Sequence, residues 1–231
     1  MFWTFVETTP ALGGSVQIDG KKGHHLARVL RVRPGERGVA VFARREYELE
    51  VIAVDGARIN ARVLTDRPAR GEATTAVTLL QAVLPNPDFD AVLEGGTAVG
   101  IRCVVAVQSA RSVGRPPAGR LNRWEAIVES AAEQSHRGEI PNVTGPLPLS
   151  SALDQASGRL LALDPGASLP LGQAIDGSAA YTIAVGPEGG WTDDELAMLR
   201  ARGGVAVNLG PRILRARLAP LVAAAILVQR P

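Results

Sequence analysis

A chain of 231 residues is long enough for one large or two small domains whose cores need no covalent staples. Hydrophobic residues make up 46% and charged residues 21%, a balance that excludes an intrinsically disordered chain. The single cysteine, Cys103, excludes an internal disulfide. No apolar run reaches the roughly 18 residues of a membrane span, and none resembles a signal peptide, so we expect a cytoplasmic protein.

The first 70 residues are typical of a small β-rich domain. Three short runs follow one another at roughly ten-residue spacing, and Pro34-Gly35 and Asp55-Gly56 supply turns between apolar segments. Small closed barrels are a common arrangement of such strands, and we expect one here. The predicted strands are 39–42 (VAVF), 47–54 (YELEVIAV) and 58–64 (RINARVL).

Positive charge is concentrated between residues 21 and 45, where eight basic side chains face one acidic residue, for a net charge of +7. A polyanion is an expected partner, because each phosphate that is neutralised releases counterions. A solvated basic face is the alternative. Leu26, Val29 and Leu30 are predicted to share one apolar face of this segment. The basic residues are Lys21, Lys22, Arg28, Arg31, Arg33, Arg37, Arg44 and Arg45.

A polar segment at residues 66–76 (DRPARGEATTA) interrupts the β pattern and is predicted to be a linker. Beyond it, apolar runs at 77–84, 102–108 and 159–166 alternate with helix-length stretches. The stretch 121–137 (LNRWEAIVESAAEQSHR) has the apolar stripe of an amphipathic helix. Strands that alternate with helices indicate an α/β domain with a parallel sheet.

Two glycine-rich turns occur within residues 181–214. The first, GPEGG, follows the apolar run TIAV, and the second, at Gly210-Pro211, follows VAVNL. Between them, Thr192 and Glu195 form a T-x-x-E capping box that predicts a helix start. We expect the two flanking strands to be adjacent and parallel, so that both turns lie at one edge of the sheet, where α/β proteins bind ligands.

Several classes of site are excluded by the motifs that the chain lacks. There is no dinucleotide fingerprint, no P-loop, no metal-ligand spacing and no nucleophile elbow. With three histidines and one cysteine, a His/Cys metal site is not expected. What remains is a pocket made of backbone turns without charge clamps for a triphosphate, which suits an adenosine-bearing ligand.

The last segment, 216–229, is apolar nearly all round, as in a helix that is covered on every side. Pro220 fits such a helix only if the helix begins within one turn before it. The domain itself can cover one face of this helix.

The two turns together resemble a known signature. GPEGGW at 186–191 followed by LGPRILR at 209–215 is similar to the SPOUT, or α/β-knot, RNA methyltransferases, and to the family that methylates N3 of a uridine in 16S ribosomal RNA. Further matches are the H-L-x-x-V-L-R segment from His25, Arg123-Trp124 and the E-Q-S-x-R element at 133–137. The resemblance covers almost the whole chain.

The resemblance implies an α/β fold in two domains. Residues 1–70 would form a PUA-like β-barrel that binds RNA, and residues 74–231 an α/β-knot methyltransferase domain. The implied cofactor is S-adenosylmethionine, the implied substrate is ribosomal RNA or the small ribosomal subunit, and the implied assembly is a homodimer. No metal is implied.

The resemblance also assigns roles to residues. Arg111, Arg137 and Arg215 are the electrostatic candidates for catalysis, with Glu188 as a weaker candidate base. Arg28, Arg31 and Arg123 are candidates for RNA binding. The implied cofactor-binding residues are Leu163, Asp164, Gly186, Glu188, Gly189, Gly190, Leu209, Gly210, Ile213 and Leu214.

The chain departs from the family pattern in two places. Around Asn86–Phe89 and at Ala98 it lacks charged side chains that the family carries, and the family's Thr-Glu-Thr is replaced at Ala216–Leu218. Two alternatives therefore stay open: an RNA-binding paralogue that has lost methyl transfer, and a methyltransferase of the same fold that acts on a different RNA.

Overall fold

The computed structural model describes residues 1–113 and 119–229. The chain divides into two compact units, which are described here separately. Unit 1 comprises Met1–Glu72 and Ala132–Glu139, and unit 2 comprises Ala73–Ala131 and Ile140–Pro231. In the part of the chain that the structure describes, no helix has the length and apolar character needed to cross a bilayer.

Unit 1 is built on a five-stranded sheet of order β1-β3-β4-β5-β2. Neighbouring strands are antiparallel except for the parallel pair β1 and β3. The three strands expected from the sequence are confirmed, whereas β1 and β2 were not anticipated. The order leaves β1 and β2 at its two ends rather than paired with each other within the described residues. The strands are β1 (Phe2–Phe5), β2 (Ser15–Ile18), β3 (Arg37–Phe42), β4 (Arg45–Asp55) and β5 (Arg58–Pro68).

The basic segment of unit 1 contains helix α1 (Gly20–His24) and one π-helical turn (His25–Val29). Leu26 is buried, but Val29 and Leu30 are 62% and 50% exposed. Of the three residues predicted to share an apolar face, only Leu26 therefore packs into the core of unit 1. The π-helical turn changes the angular spacing of the side chains, so that a 3.6-residue period no longer applies.

Unit 2 contains a six-stranded sheet of order β11-β9-β10-β6-β7-β8 in which every pairing is parallel. The strands are β6 (Ala76–Ala82), β7 (Cys103–Gln108), β8 (Asn142–Pro148), β9 (Arg159–Leu163), β10 (Ala180–Val185) and β11 (Val205–Val207). The helices are α2 (Asp88–Val99), α3 (Arg120–Gln134), α4 (Leu149–Leu153), α5 (Leu171–Ala174), α6 (Asp193–Ala201) and α7 (Ala219–Val228). The last residues of α3, from Ala132, are assigned to unit 1. The fold is therefore mixed α/β, as expected.

One expectation about this sheet is wrong. The strands before the two glycine-rich turns, β10 and β11, are not adjacent, because β9 lies between them and pairs with both. All three strands are parallel, so their carboxyl ends still meet at one edge. The loop after β9 is therefore the central one at this edge. Strand β8 also went unpredicted, and the predicted linker at 66–76 begins inside β5.

The helix signals at the C-terminal end are confirmed. Thr192 and Glu195 form both hydrogen bonds of a capping box at the start of α6. Helix α7 starts one residue before Pro220, where a missing N–H breaks no helical bond. Its buried side includes Ala223, Ala224 and Leu227, which pack into the core of unit 2.

Candidate functional site

An open cavity of about 180 Å³ lies at the carboxyl edge of the six-stranded sheet. It is formed by the loops that follow β9, β10 and β11 and by the chain leading into α7. The lining residues are Leu163, Asp164, Pro165, Val185, Gly186, Pro187, Glu188, Gly190, Val207, Asn208, Leu209, Gly210, Arg212, Ile213, Leu214, Arg215, Ala216 and Ala219.

The last residues of the three strands, Leu163, Val185 and Val207, give the cavity an apolar floor. They are paired in register across the sheet, so their positions are fixed by backbone hydrogen bonds. Ala216 and Ala219 contribute small apolar surfaces beside them. Carboxylates and cations are confined to the loops, which leaves the interior suited to an apolar or aromatic ring system.

The turn after β10 leaves little room for side chains. A Cβ placed on Gly186 would lie 3.2 Å from backbone atoms of both Gly190 and Trp191. Gly190 has a φ of +68° and donates its N–H to the carbonyl of Pro187 at 2.8 Å. Glycine is thus required for close packing at one position and for a left-handed backbone at the other.

The loop after β11 is organised by Asn208. Its side-chain oxygen accepts the N–H of Gly210 at 2.9 Å, and its amide nitrogen donates to the carbonyl of Ala167 at 2.8 Å. Gly210 has a φ of +93°, and a Cβ added to it would meet no atom within 4 Å. In the loop after β9, Asp164 accepts the N–H of Gly166 at 2.9 Å. Side-chain bonds therefore hold two of the three loops in shape.

Arg212 and Arg215 line the cavity and are exposed, and within residues 1–113 and 119–229 neither guanidinium has a hydrogen-bond or ion-pair partner. Neighbouring Arg217 differs, because its guanidinium binds the Asp88 carboxylate at 2.9 Å. That ion pair joins the two segments in which the chain departs from the family pattern. The cavity wall thus carries two cations that have no counter-ion among the described residues.

All of the predicted cofactor-binding residues line this cavity except Gly189. Gly189 lies on the outer side of the turn, where a Cβ would come within 3.3 Å of the Arg111 side chain. The glycine-rich pattern shows that the turn is tight but does not show which of its glycines face a ligand.

The three predicted catalytic arginines have different environments. Arg215 lines the cavity, whereas Arg111 donates hydrogen bonds to the carbonyls of Gly189, at 2.7 Å, and Trp191, at 3.3 Å. Arg137 belongs to unit 1, is 2% exposed and forms two hydrogen bonds of 2.8 Å with Glu72. Burial and neutralisation contradict the prediction that Arg137 acts on a substrate.

The predicted RNA-binding residues also differ. Arg28 and Arg31 are exposed in unit 1 and have no ion-pair partner among the described residues. Arg123, in unit 2, forms hydrogen bonds of 3.2 and 2.6 Å with Asp90, although its side chain is 60% exposed. Its RNA contact stays a prediction.

Sequence reasoning missed Asn208 and Arg212. Asn208 follows the apolar run 205–207 and lies two residues before Gly210, a position typical of an Asx turn, and this signal was available. Arg212 lies inside the LGPRILR motif and was passed over for Arg215. In the described part of the chain, no group of three or more His, Cys, Asp or Glu side chains could hold a metal ion.

Comparisons with known proteins agree on one group. A family model for the RNA methyltransferase domain matches residues 71–228. Ribosomal RNA small subunit methyltransferase E of Mycobacterium bovis is 36% identical over 238 residues, covering 95% of this chain and 88% of that protein. The protein of the same name from Synechocystis sp. is 34% identical over 209 residues, covering 87% of this chain and 69% of that protein.

A solved structure extends this similarity to three dimensions. The crystal structure of a ribosomal RNA small subunit methyltransferase E from Neisseria gonorrhoeae, bound to S-adenosyl methionine, matches with a TM-score of 0.91 at 32% identity. The match covers 97% of this chain and 95% of that chain. The resemblance indicated by GPEGGW and LGPRILR is thereby confirmed. The family model spans more than half of the sequence, and the chain therefore belongs to the RNA methyltransferase family, among the ribosomal RNA small subunit methyltransferases E.

Proposed function

We propose that this protein methylates N3 of a uridine in 16S ribosomal RNA with S-adenosylmethionine as the methyl donor. The observation that carries this proposal is the cavity at the carboxyl edge of the six-stranded sheet. It combines an apolar floor, tight backbone turns and two unpaired arginines in a chain that belongs to the RNA methyltransferase family. The relatives act on small-subunit ribosomal RNA by name, and the solved Neisseria relative was crystallised with the cofactor.

The cavity fits the cofactor. Leu163, Val185 and Val207 provide apolar surface for an adenine ring, and the glycines of the turns let the backbone approach the ligand. Gly186 and Gly210 would hold the cofactor from two loops, and Ile213 and Leu214 from the segment before α7. When bound, S-adenosylmethionine supplies a methyl group on a sulfonium, and its leaving group requires no acid.

Arg212 and Arg215 supply the electrostatic part of the reaction. Uracil N3 must lose its proton before it can accept a methyl group, so the base carries negative charge as the bond forms. An unpaired guanidinium beside the reacting atoms stabilises that charge, because it need not first be released from a carboxylate. Glu188, also exposed on the wall, is placed to accept the proton.

The finer domain assignment is also part of the proposal. Residues 1–70 form a PUA-like barrel that binds RNA, and residues 74–231 form the α/β-knot methyltransferase domain. Four cations of the basic segment have no side-chain partner among the described residues, and they are the phosphate-binding groups of this barrel. They are Lys21, Arg28, Arg31 and Arg33.

The protein acts as a homodimer. Support comes from apolar side chains that unit 2 leaves exposed: Ile213 is 86%, Leu218 46% and Ile226 39% exposed. In a symmetric dimer such a patch meets its own copy, so one substitution places two like charges together. Ile226→Glu should therefore yield monomers by light scattering, and a monomeric wild-type protein would contradict the proposal. Ala224 does not serve for this test, since its side chain is buried within the chain.

One observation favours a second candidate, an RNA-binding paralogue without methyl transfer. Ala216 lines the cavity at a position where the family carries a hydroxyl, so the departure from the pattern lies at the site itself. Such a paralogue would bind the cofactor and RNA but turn neither over.

The test is methyl transfer from labelled S-adenosylmethionine to small ribosomal subunits, purified from a strain that lacks this gene. We expect one methyl group per subunit, mapped by mass spectrometry to N3 of a uridine, and no transfer by Gly210→Val, whose side chain would enter the cavity. Cofactor binding without transfer would establish the paralogue instead, and a methyl group on another RNA would show a different substrate.

A further inference from the structure

The loop that follows β7, residues 109–112, packs behind the glycine-rich turn of the cavity. One nitrogen of Arg111, Nη1, donates to two carbonyls of that turn, those of Gly189 at 2.7 Å and Trp191 at 3.3 Å. Gly186 and Gly190 of the same turn line the cavity, whereas Gly189 does not. Arg111 thus holds the turn from the side away from the ligand.

A second contact ties the same two segments together. The carboxylate of Glu195, which is buried, accepts the backbone N–H of Ala110 at 2.8 Å through Oε1. Its Oε2 accepts the N–H of Thr192 at 2.9 Å as part of the capping box of α6. One carboxylate therefore connects the start of α6, which follows the turn directly, with the loop that carries Arg111.

The loop is itself well fixed. Ser109 and Ser112 bind each other through two hydrogen bonds that involve backbone N–H groups, each of 3.2 Å, and their hydroxyls lie 2.9 Å apart. These bonds fix the backbone on both sides of Arg111. The conformational entropy that is lost when its guanidinium binds the turn is therefore smaller.

We propose that Arg111 is a positioning residue that, together with Glu195, holds the turn 186–191 in the shape that receives S-adenosylmethionine. This inference rests on the proposed function and assigns Arg111 to the cofactor turn, not to the RNA or the reacting base. Loss of its side chain leaves two carbonyls without a charged donor, and the turn then samples shapes that do not bind the cofactor. The bound state is populated less, and the apparent affinity falls by the same factor.

The experiment compares wild type with Arg111→Gln and Arg111→Lys in the full-length protein, with Arg202→Gln as a matched control. Arg202 lies in the same unit and loses an equal charge, but its ion pair with Asp154 does not involve the turn. We measure the Kd for S-adenosylmethionine by calorimetry, and KM and kcat for methyl transfer. The salt dependence of RNA binding and the thermal unfolding midpoint complete the comparison.

For Arg111→Gln we expect the Kd and KM for S-adenosylmethionine to rise by about ten- to a hundredfold, the range for one lost charge-assisted contact. The kcat at saturating cofactor and the salt dependence of RNA binding should stay as in wild type. Arg111→Lys retains one donor and should recover part of the affinity, and Arg202→Gln should match wild type.

Two results would overturn the inference. The first is an unchanged cofactor Kd with a shallower salt dependence, which would make Arg111 a phosphate contact. The second is an unchanged Kd with a reduced kcat, which would make it a catalytic residue. A wild-type protein that binds no S-adenosylmethionine would instead refute the proposed function, and the two failures are therefore distinguishable.

Discussion

The buried ion pair of unit 1 and the cavity wall of unit 2 use arginine in opposite ways. In unit 1, Arg137 is 2% exposed and its partner Glu72 is 7% exposed, and the carboxylate also accepts the N–H groups of Gly138 and Glu139. In unit 2, Arg212 and Arg215 are exposed on a cavity wall without a partner in the described residues. The same side chain serves as a structural cross-link at the first site and as an available cation at the second.

The difference shows which arginines an external anion can bind. A guanidinium that is buried and satisfied by a carboxylate must lose those bonds and cross a desolvation barrier before it can bind anything else. An exposed and unpaired guanidinium has no such bonds to lose and no such barrier to cross. Whether an arginine has a partner is therefore a better guide to function than its place in a motif. The following predictions test this rule, beginning with the largest effect.

The largest effect is expected at the buried pair. Glu72→Gln leaves the Arg137 guanidinium buried without its counter-ion, which destabilises a protein by about 3–5 kcal/mol. Denaturant unfolding monitored by circular dichroism measures this loss. The exposed pair of Arg62 and Glu50 provides the control, and Glu50→Gln should cost at most about 1 kcal/mol. Equal losses of unfolding free energy in the two variants would contradict the distinction between buried and exposed ion pairs.

The next effect concerns the cavity. Replacement of Arg215 by Gln should lower kcat by about ten- to a hundredfold, since it removes charge stabilisation near the reacting atoms. The free energy of unfolding should change by less than about 0.5 kcal/mol, as at other exposed positions without partners. Arg217→Gln removes the same charge two residues along the chain, from the pair with Asp88. If both variants lose activity equally, the presence of an ion-pair partner does not distinguish a catalytic arginine from a structural one.

A smaller effect is expected for RNA binding. The double variant Arg28→Gln/Arg31→Gln should reduce the slope of log K against log salt concentration by roughly two units, about one for each lost phosphate contact. The matched variant Arg37→Gln/Arg45→Gln removes two cations that are already paired, with Glu48 and Asp66, and should change the slope less. Filter binding over a salt series gives both slopes. Identical slopes in wild type and Arg28→Gln/Arg31→Gln would show that the two arginines contact no phosphate and belong to a solvated face.

The smallest effect is expected at Asp176. Hydrogen bonds from the Ser178 hydroxyl and backbone, with smaller contributions from the Tyr181 hydroxyl and the charge of Arg159, lower the pKa of this carboxyl well below its ordinary value. A lowered folded-state pKa gives stability that is present above the unfolded pKa of about 3.9 and is lost as the pH falls toward the folded value. Ser178→Ala should therefore make unfolding set in at higher pH, and Arg159→Gln should do so less. Unfolding midpoints measured between pH 2 and 6 compare the two variants. A larger effect for Arg159→Gln than for Ser178→Ala would contradict the prediction.

Local features of this fold could be predicted from sequence. The capping box of Thr192 and Glu195, the start of α7 at Pro220 and the turns at Gly190 and Gly210 depend on residues within one turn of each other. Such signals are complete in a short window, because the relevant hydrogen bonds and steric limits are local.

Features that depend on residues distant in sequence could not be predicted. The bond from Arg137 to Glu72 joins residues 65 positions apart, and no local pattern marks Glu72, which lay in a segment predicted to be a linker. The insertion of β9 between β10 and β11 is likewise a matter of strand order, which the apolar pattern of each strand does not contain. The turn residues of the cavity were therefore identified, whereas the role of each charged residue depended on partners distant in sequence.

The ion pair of Arg217 with Asp88 limits how this chain can exchange residues with its relatives. Replacing Arg217 with Glu would place two carboxylates against each other at the entrance to α7. Like charges at such a contact repel, and the segment that leads from the cavity into α7 would lose its tie to α2. A variant with an acidic residue at position 217 therefore keeps this tie only if Asp88 is replaced by a basic residue at the same time.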